Sequence, residues 1–326
     1  MGLKTICGMK FNTQHTYILG FFLLAAVLMV PNLLPASTQE PENPPLGSTD
    51  PVYHQKFLDG YQIMPPPLPD SLSFAGERVP LDFYLCRERL DRELMVNIFW
   101  QSNQLLLIKR ANRYFPKIEA ILQEEGIPED FKYLCVIESG MMNVVSPAKA
   151  AGFWQLMTGT ARDHGLEVNT YIDERYNLEK ATRAACDYLK MLYERFGSWT
   201  LAAAAYNTGQ SNMDYHLRTQ GTNDYYQLHL PEETSRYMYR ILAEKLVLSE
   251  PERYGLSVRP QDLYPPLEDR KIPVDTTIHD LFGFARQQGV SYQMLKLYNP
   301  WIRSNTLPDK SRRLYYISLP MDHPCN

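Results

Sequence analysis

The sequence predicts a mainly α protein: a helical region over residues 76–250, followed by a small α+β module over 274–322. Three observations lead there. Apolar residues recur at helical spacing from Leu81 to Leu248. No comparable set of alternating strand segments interrupts them. Two proline-rich stretches, 38–75 and 251–273, set that region apart from its flanks.

In order along the chain, Lys4 and Lys10 precede an apolar run from Tyr17 to Val30, which Pro31 breaks and the small residues Ala36 and Ser37 follow. A basic start, an apolar core and a small-residue end predict a cleaved secretory signal over 1–37. An uncleaved membrane anchor is the second expectation, although a spanning helix wants about 20 apolar residues. Cys7 lies before the apolar run, badly placed to carry a lipid after cleavage. Residues 38–75, with Pro65, Pro66, Pro67 and Pro69 close together, read as an extended linker.

The helical region opens with Leu85, Leu90, Leu94 and Ile98 at spacings of four and five. Leu105, Leu106, Ile108 and Ala111 lead into Tyr114 and Phe115, then Ile118, Ile121 and Leu122, with Gly126 as the terminator. Further helices are expected at 129–139, 154–164, 178–196, 199–206 and 234–248. After the second linker, Ile278, Leu281, Phe282 and Ala285 suit a short helix. Val290, Met294, Leu295 and Leu297 suit another, and Leu314 to Leu319 a closing strand.

The formal net charge of −4 gives no electrostatic case for a nucleic-acid partner. None of the five cysteines has CxxC or CxxH spacing, so no metal site is expected. Cys135 and Cys186 sit in apolar helical patterns and read as small core residues.

Chemistry concentrates around Glu138. In the run from Ile127 to Ser139, Pro128 suits a first helical turn, and Glu129 and Asp130 suit the positive end of a helix. Phe131, Leu134, Cys135 and Glu138 share one face, while Tyr133, Val136 and Ile137 make the other side apolar too. A helix apolar nearly all round is buried. It therefore delivers the Glu138 carboxyl to an apolar setting, where desolvation raises the pKa. A glutamic acid protonated near neutral pH can donate to a leaving glycosidic oxygen. The same pattern also fits a structural Glu paired with an arginine or capping a neighbouring helix.

Two later blocks narrow this choice: Ser146-Pro147-Ala148-Lys149-Ala150-Ala151-Gly152-Phe153-Trp154-Gln155-Leu156-Met157, running on to Thr160-Ala161, and Ala205-Tyr206-Asn207-Thr208-Gly209. Together with Glu138-Ser139 they resemble the SLT (family 1) domain of lytic murein transglycosylases, a lysozyme-like α-helical fold. Glu233 to Tyr237 and Pro251 to Gly255 resemble the membrane-bound lytic transglycosylase D subgroup. Val290-Ser291, Leu295, Asn299-Pro300 and Ile317 to Pro320 resemble a divergent LysM module, which either binds N-acetylglucosamine-containing glycan or acts as a structural cap.

The resemblance implies an exported periplasmic or envelope enzyme acting on peptidoglycan strands, with no metal or organic cofactor. Glu138 would be the single catalytic acid and base, forming 1,6-anhydromuramic acid ends. Ser146, Gln155 and Met157 would line the glycan cleft. Tyr206 and Asn207 would lie opposite the acid, with Tyr206 hydrogen-bonding near Glu138. Gly152 would permit close backbone approach at the cleft wall. The 22 tyrosines suit sugar stacking. The second carboxylate of the usual glycosidase pair is not evident; Asp163, Glu167 and Asp173 are candidates by proximity alone. The alternatives are a hydrolysing muramidase of the same fold and a non-catalytic wall-binding protein.

Overall fold

A computed structural model describes residues 65–308 and 313–321, all within a unit spanning Ile63–Asn326. The expected signal or anchor over 1–37 lies outside the described residues, as does the first part of the proline-rich stretch.

The helical region runs α1 (Tyr84–Phe99), α2 (Gln101–Glu124), α3 (Phe131–Ser139), α4 (Thr158–Asp163), α5 (Leu178–Phe196), α6 (Trp199–Thr208), α7 (Gln210–Gln220) and α8 (Glu232–Ser249). The centre is α3, whose Phe131, Leu134, Cys135 and Val136 are buried as the all-round apolar pattern requires. It packs against α2 and α8, while α6 packs on α5, α7 and α8. Burying side chains such as Leu134 or Phe131 stabilises by about 1.5–3 kcal/mol each. Cys86, Cys135 and Cys186 are buried free thiols.

Helix boundaries depart from expectation where polar residues lead. The turn Pro128–Asp130 precedes α3 instead of forming its first residues. The side chain of Asp130 is drawn away by the Ala75 N–H, at 2.7 Å, and by Lys245 Nζ, at 2.8 Å. The helix expected at 154–164 shrinks to Thr158–Asp163, because 151–156 curl into isolated bridges instead. The polar helix α7 was not foreseen; only Met213 in it is buried, so it carries almost no apolar periodicity.

Within the two segments read as linkers, residues 73–75 join a hairpin and residues 251–273 form turns and most of a strand. Ser73–Phe74 (β1) and Glu77–Arg78 (β2) form a hairpin around Ala75 and Gly76, both at positive φ. Phe74 is fully buried, edge-on to Phe131 at 5.1 Å between centroids. The Glu77 carboxylate accepts from the Trp199 and Thr200 N–H groups and from the Ser198 and Thr200 hydroxyls, so it caps α6 from a distant segment. Such a role is invisible in local composition.

Around 251–265 the chain forms two 3-10 turns, Pro251–Tyr254 and Pro260–Asp262, and then lies along α2. Asn112 Nδ2 donates to the Tyr264 carbonyl at 2.9 Å and Arg113 Nε to the Pro265 carbonyl at 3.0 Å. Proline removes a donor but keeps its acceptor, so a proline-rich strap can still be bound from outside.

The C-terminal module comprises β3 (Asp269–Val274), α9 (Leu281–Gln287), α10 (Tyr292–Tyr298) and β4 (Tyr315–Pro320). The two helices and β4 match expectation. β3 lies largely within the expected linker and pairs antiparallel with β4, Ile272 opposite Ile317. Its core joins Leu281, Ala285, Leu295, Ile302 and Ile317 to Ala151, Ile172 and Tyr176 of the helical region.

Candidate active site

Glu138 occupies the last turn of α3, which Gly140 terminates in the left-handed conformation. Seven residues of that nine-residue helix are buried, so its end is forced against the interior. Glu138 keeps part of its surface accessible. Burial nevertheless pushes its pKa up to about 7. Three neighbours modulate that shift. Tyr237 donates a short hydrogen bond to Oε1 and opposes the rise, as does the charge of Arg240, while the charge of Glu233 adds to it.

Tyr237 and Arg240 come from α8, three residues apart and thus on one face. Tyr237 is buried, and burial first and Glu138 second hold its phenol protonated. Arg240 Nη2 donates to the Ile137 carbonyl at 3.1 Å, which places the guanidinium beside the acid without an ion pair to it. The site is thus a carboxylic acid, a phenol donor and one tempered positive charge.

The expectation for Tyr206 is corrected. Its hydroxyl donates to the Trp154 carbonyl at 2.7 Å, and the hydrogen bond to Glu138 comes from Tyr237. Tyr206 still feels the Glu138 charge, which adds to burial in raising its pKa. The reason is geometric: α6 delivers Tyr206 to the backbone of the loop, while α8 runs directly behind α3. Asn207 lies next to it, with Nδ2 3.5 Å from Glu233 Oε1 and Oδ1 accepting from the Thr234 hydroxyl at 3.2 Å.

Ser146, Gln155 and Met157 lie on one strained loop. Lys149 (φ 67°) and Gln155 (φ 45°) hold left-handed backbones without being glycine. Ser146 Oγ accepts from the Ala150 N–H at 3.0 Å. The Gln155 amide donates to the Val144 and Gly152 carbonyls, at 3.0 and 2.7 Å. Met157 is 46% exposed, so it is not a core residue. Gly152 is required: a Cβ there would sit 1.9 Å from the Arg175 carbonyl oxygen. The loop is tied to the acid's own helix, since Ser139 Oγ donates to the Phe153 carbonyl at 2.8 Å.

None of the three carboxylates suggested by sequence proximity acts on Glu138. Asp173 is paired bidentately with Arg175, and Glu167 binds Asn169 and Tyr315. Glu233 is the acidic residue whose charge reaches Glu138. Sequence reasoning singled out the run from Glu233 to Tyr237 without giving either end a role. The readable signal was helical spacing: Glu233, Tyr237 and Arg240 at i, i+4 and i+7 place a carboxylate, a phenol and a guanidinium on one face. Among the described residues, no group of three or more His, Cys, Asp or Glu could hold a metal ion.

Two family models match this chain, and Glu138 lies within the first match. Residues 116–229 match the Transglycosylase SLT domain, and residues 270–323 match the Soluble lytic transglycosylase C-terminal LysM-like domain. Membrane-bound lytic murein transglycosylase D of Escherichia coli (strain K12) is 28% identical over 220 residues, covering 66% of this chain and 48% of that protein. The same protein of Escherichia coli O6:H1 (strain CFT073) gives the same figures. A Putative tributyltin chloride resistance protein of Alteromonas sp. (strain M-1) is 29% identical over 106 residues, covering 32% of this chain and 51% of that protein. The chain spans about half the length of the curated relatives it matches. It carries a lysozyme-like transglycosylase SLT domain followed by a LysM-like C-terminal domain.

Proposed function

We propose that this chain is a peptidoglycan lytic transglycosylase that cleaves the β-1,4 bond between N-acetylmuramic acid and N-acetylglucosamine, with Glu138 as its one acid and base. The observation that carries this reading is the Glu138 carboxyl, desolvated until it titrates at about 7 and steadied by Tyr237. Near neutral pH such a group still holds a proton to give. Glu138 transfers it to the glycosidic oxygen as the bond to muramic C1 breaks, releasing the N-acetylglucosamine side as an alcohol. The resulting carboxylate takes the proton of the muramic C6 hydroxyl while O6 bonds to C1. The acid is restored and no water is consumed.

Ser146, Gln155 and Met157 would contact the strand, and Tyr206 and Asn207 would shape the opposite wall. The substrate implies export to the periplasm or envelope, with the apolar run 17–30 as signal or anchor. Among the described residues, no helix is long and apolar enough to cross a membrane.

One observation favours a second reading. Glu233 puts a second carboxylate within electrostatic reach of Glu138, which a hydrolysing muramidase could use to direct water. Mass spectrometry of soluble products from purified peptidoglycan separates the two. Anhydro products, one water lighter than muramidase products and absent with Glu138→Gln, are expected. Hydrated reducing ends lost in the same variant would make the enzyme a hydrolase. Wall binding without release from either protein would leave a binding protein.

A further inference from the structure

We propose that the C-terminal module is a positioning element of the cleft, in which residues 301–303 hold the segment 171–175 and Arg175 in turn sets the shape of the loop 146–157. The contacts form a continuous chain. The Asp173 N–H donates to the Trp301 carbonyl at 2.9 Å and the Arg303 N–H to the Tyr171 carbonyl at 2.8 Å. Ile172 and Ile302, both buried, form an antiparallel bridge between those bonds. The module thereby adds a short strand to the segment that ends in Asp173 and Arg175. The Arg303 guanidinium also lies 4.2 Å from the centre of the Tyr176 ring.

Asp173 grips the Arg175 guanidinium with both oxygens, at 2.9 and 2.7 Å, and both residues are buried. So oriented, Arg175 Nη1 donates to the Lys149 carbonyl at 3.0 Å and to the Leu156 carbonyl at 3.1 Å. One nitrogen therefore clamps both flanks of the loop. Lys149 is itself left-handed, and Leu156 follows the left-handed Gln155. Strained backbones of this kind persist only where the surroundings hold them. The middle of the loop is held too: Gly152 sits against the Arg175 carbonyl, and Ala151 joins the module's own core.

This role differs from that of a glycan-binding tether, which would act only on strands long enough to engage the module and the cleft together. It rests on the transglycosylase reading for its kinetic test alone. The test uses the full chain with Ile302→Ser, the milder Arg303→Ala, and Arg175→Lys, which keeps the module's junction but loses the forked donor. Peptidoglycan strands of graded length serve as substrate.

Loosened binding in the loop raises KM while kcat and its pH dependence, set at Glu138, stay in place. The expected result is a KM increase of about three- to tenfold in Ile302→Ser and Arg175→Lys, by the same factor for short and long strands. The double variant is expected to be no worse than the single variants. A KM factor that grows with strand length, with Arg175→Lys silent, would overturn the proposal in favour of a tether.

Hydrogen exchange keeps the question separate from activity. Amides of 146–157 are expected to exchange faster in Arg303→Ala and Arg175→Lys, and unchanged exchange would overturn the brace whatever the chain does to peptidoglycan. Failure of the unaltered chain to release any product would count against the enzyme reading alone.

Discussion

At the scale of single residues, the reactivity of Glu138 is a balance of named neighbours. Desolvation sets the raised pKa, Tyr237 and Arg240 pull it down, and Glu233 lifts it. In the proposed mechanism the acid must carry its proton to act, so activity is expected to fall as pH rises through that pKa. Removing the phenol with Tyr237→Phe deletes an influence that favours the carboxylate. The basic limb of the kcat/KM profile is therefore expected to move to higher pH. Glu233→Gln deletes a like charge, so the same limb is expected to move lower. A pH–rate profile of each variant decides the point, and shifts in the opposite sense would remove these neighbours from the account. Glu138 was readable as a candidate acid because six apolar neighbours, Phe131, Tyr133, Leu134, Cys135, Val136 and Ile137, leave a carboxyl few places to go. Its hydrogen-bond partner was not readable, because Tyr237 is 99 positions away.

At the scale of elements, α8 is the back wall of the site. It supplies Tyr237 and Arg240 toward Glu138 and, one turn further, Glu244 toward Gln104 of α2 at 2.9 Å. Glu244 is buried, and burial pushes its pKa from 4.5 up to about 7. Among the described residues, the second oxygen of Glu244 and Gln104 Oε1 form no hydrogen bond, so a carboxylate there would be a poorly compensated buried charge, which a proton removes.

Both raised carboxyls couple folding to pH. The folded chain keeps protons that the unfolded chain has released once pH exceeds about 4.5. The penalty is absent below that value, grows as pH rises and is complete above about 7. At roughly 1.4 kcal/mol per pKa unit, it is on the order of 3 kcal/mol for each group. Urea midpoints are expected to fall between pH 5 and pH 8, with Glu244→Gln and Glu138→Gln each flattening the decline. A flat profile in the unaltered chain would show that these acids are not protonated in the fold. Helices with a strong apolar stripe, such as α5, were legible to the residue. The polar α7 and the hairpin at 73–78 were not, since their places depend on partners remote in sequence.

At the scale of the whole molecule, the two matched domains share buried surface. Ala151, Ile172 and Tyr176 sit in the same core as Leu281, Leu295 and Ile317. The strap along α2 and the ion pairs of Lys117 with Asp269 and Lys271 with Glu179 extend the junction. Deleting 269–326 would uncover these side chains, so the shortened chain is expected to unfold several degrees lower, on the basis that about 1 kcal/mol shifts the midpoint by roughly 2–4 °C in a chain of this size. Calorimetry checks this; an unchanged transition would make the two cores independent. Composition alone read residues 251–273 as a spacer, because prolines forbid helix but say nothing about what binds their carbonyls.

The sequence by itself determined the mainly helical class, the α+β ending, the burial of α3 and the arrival of a carboxyl at its end. Those features follow from periodicity and from residue types acting within a few turns of one another. Tertiary structure alone decided that Tyr237 and not Tyr206 donates to Glu138, that the charges of Arg240 and Glu233 reach it, that Glu77 caps α6, and that the C-terminal module pairs with the segment 171–173. Each of these is a hydrogen bond or a desolvation between segments tens of residues apart. Their strength depends on distance and angle, which no local pattern records.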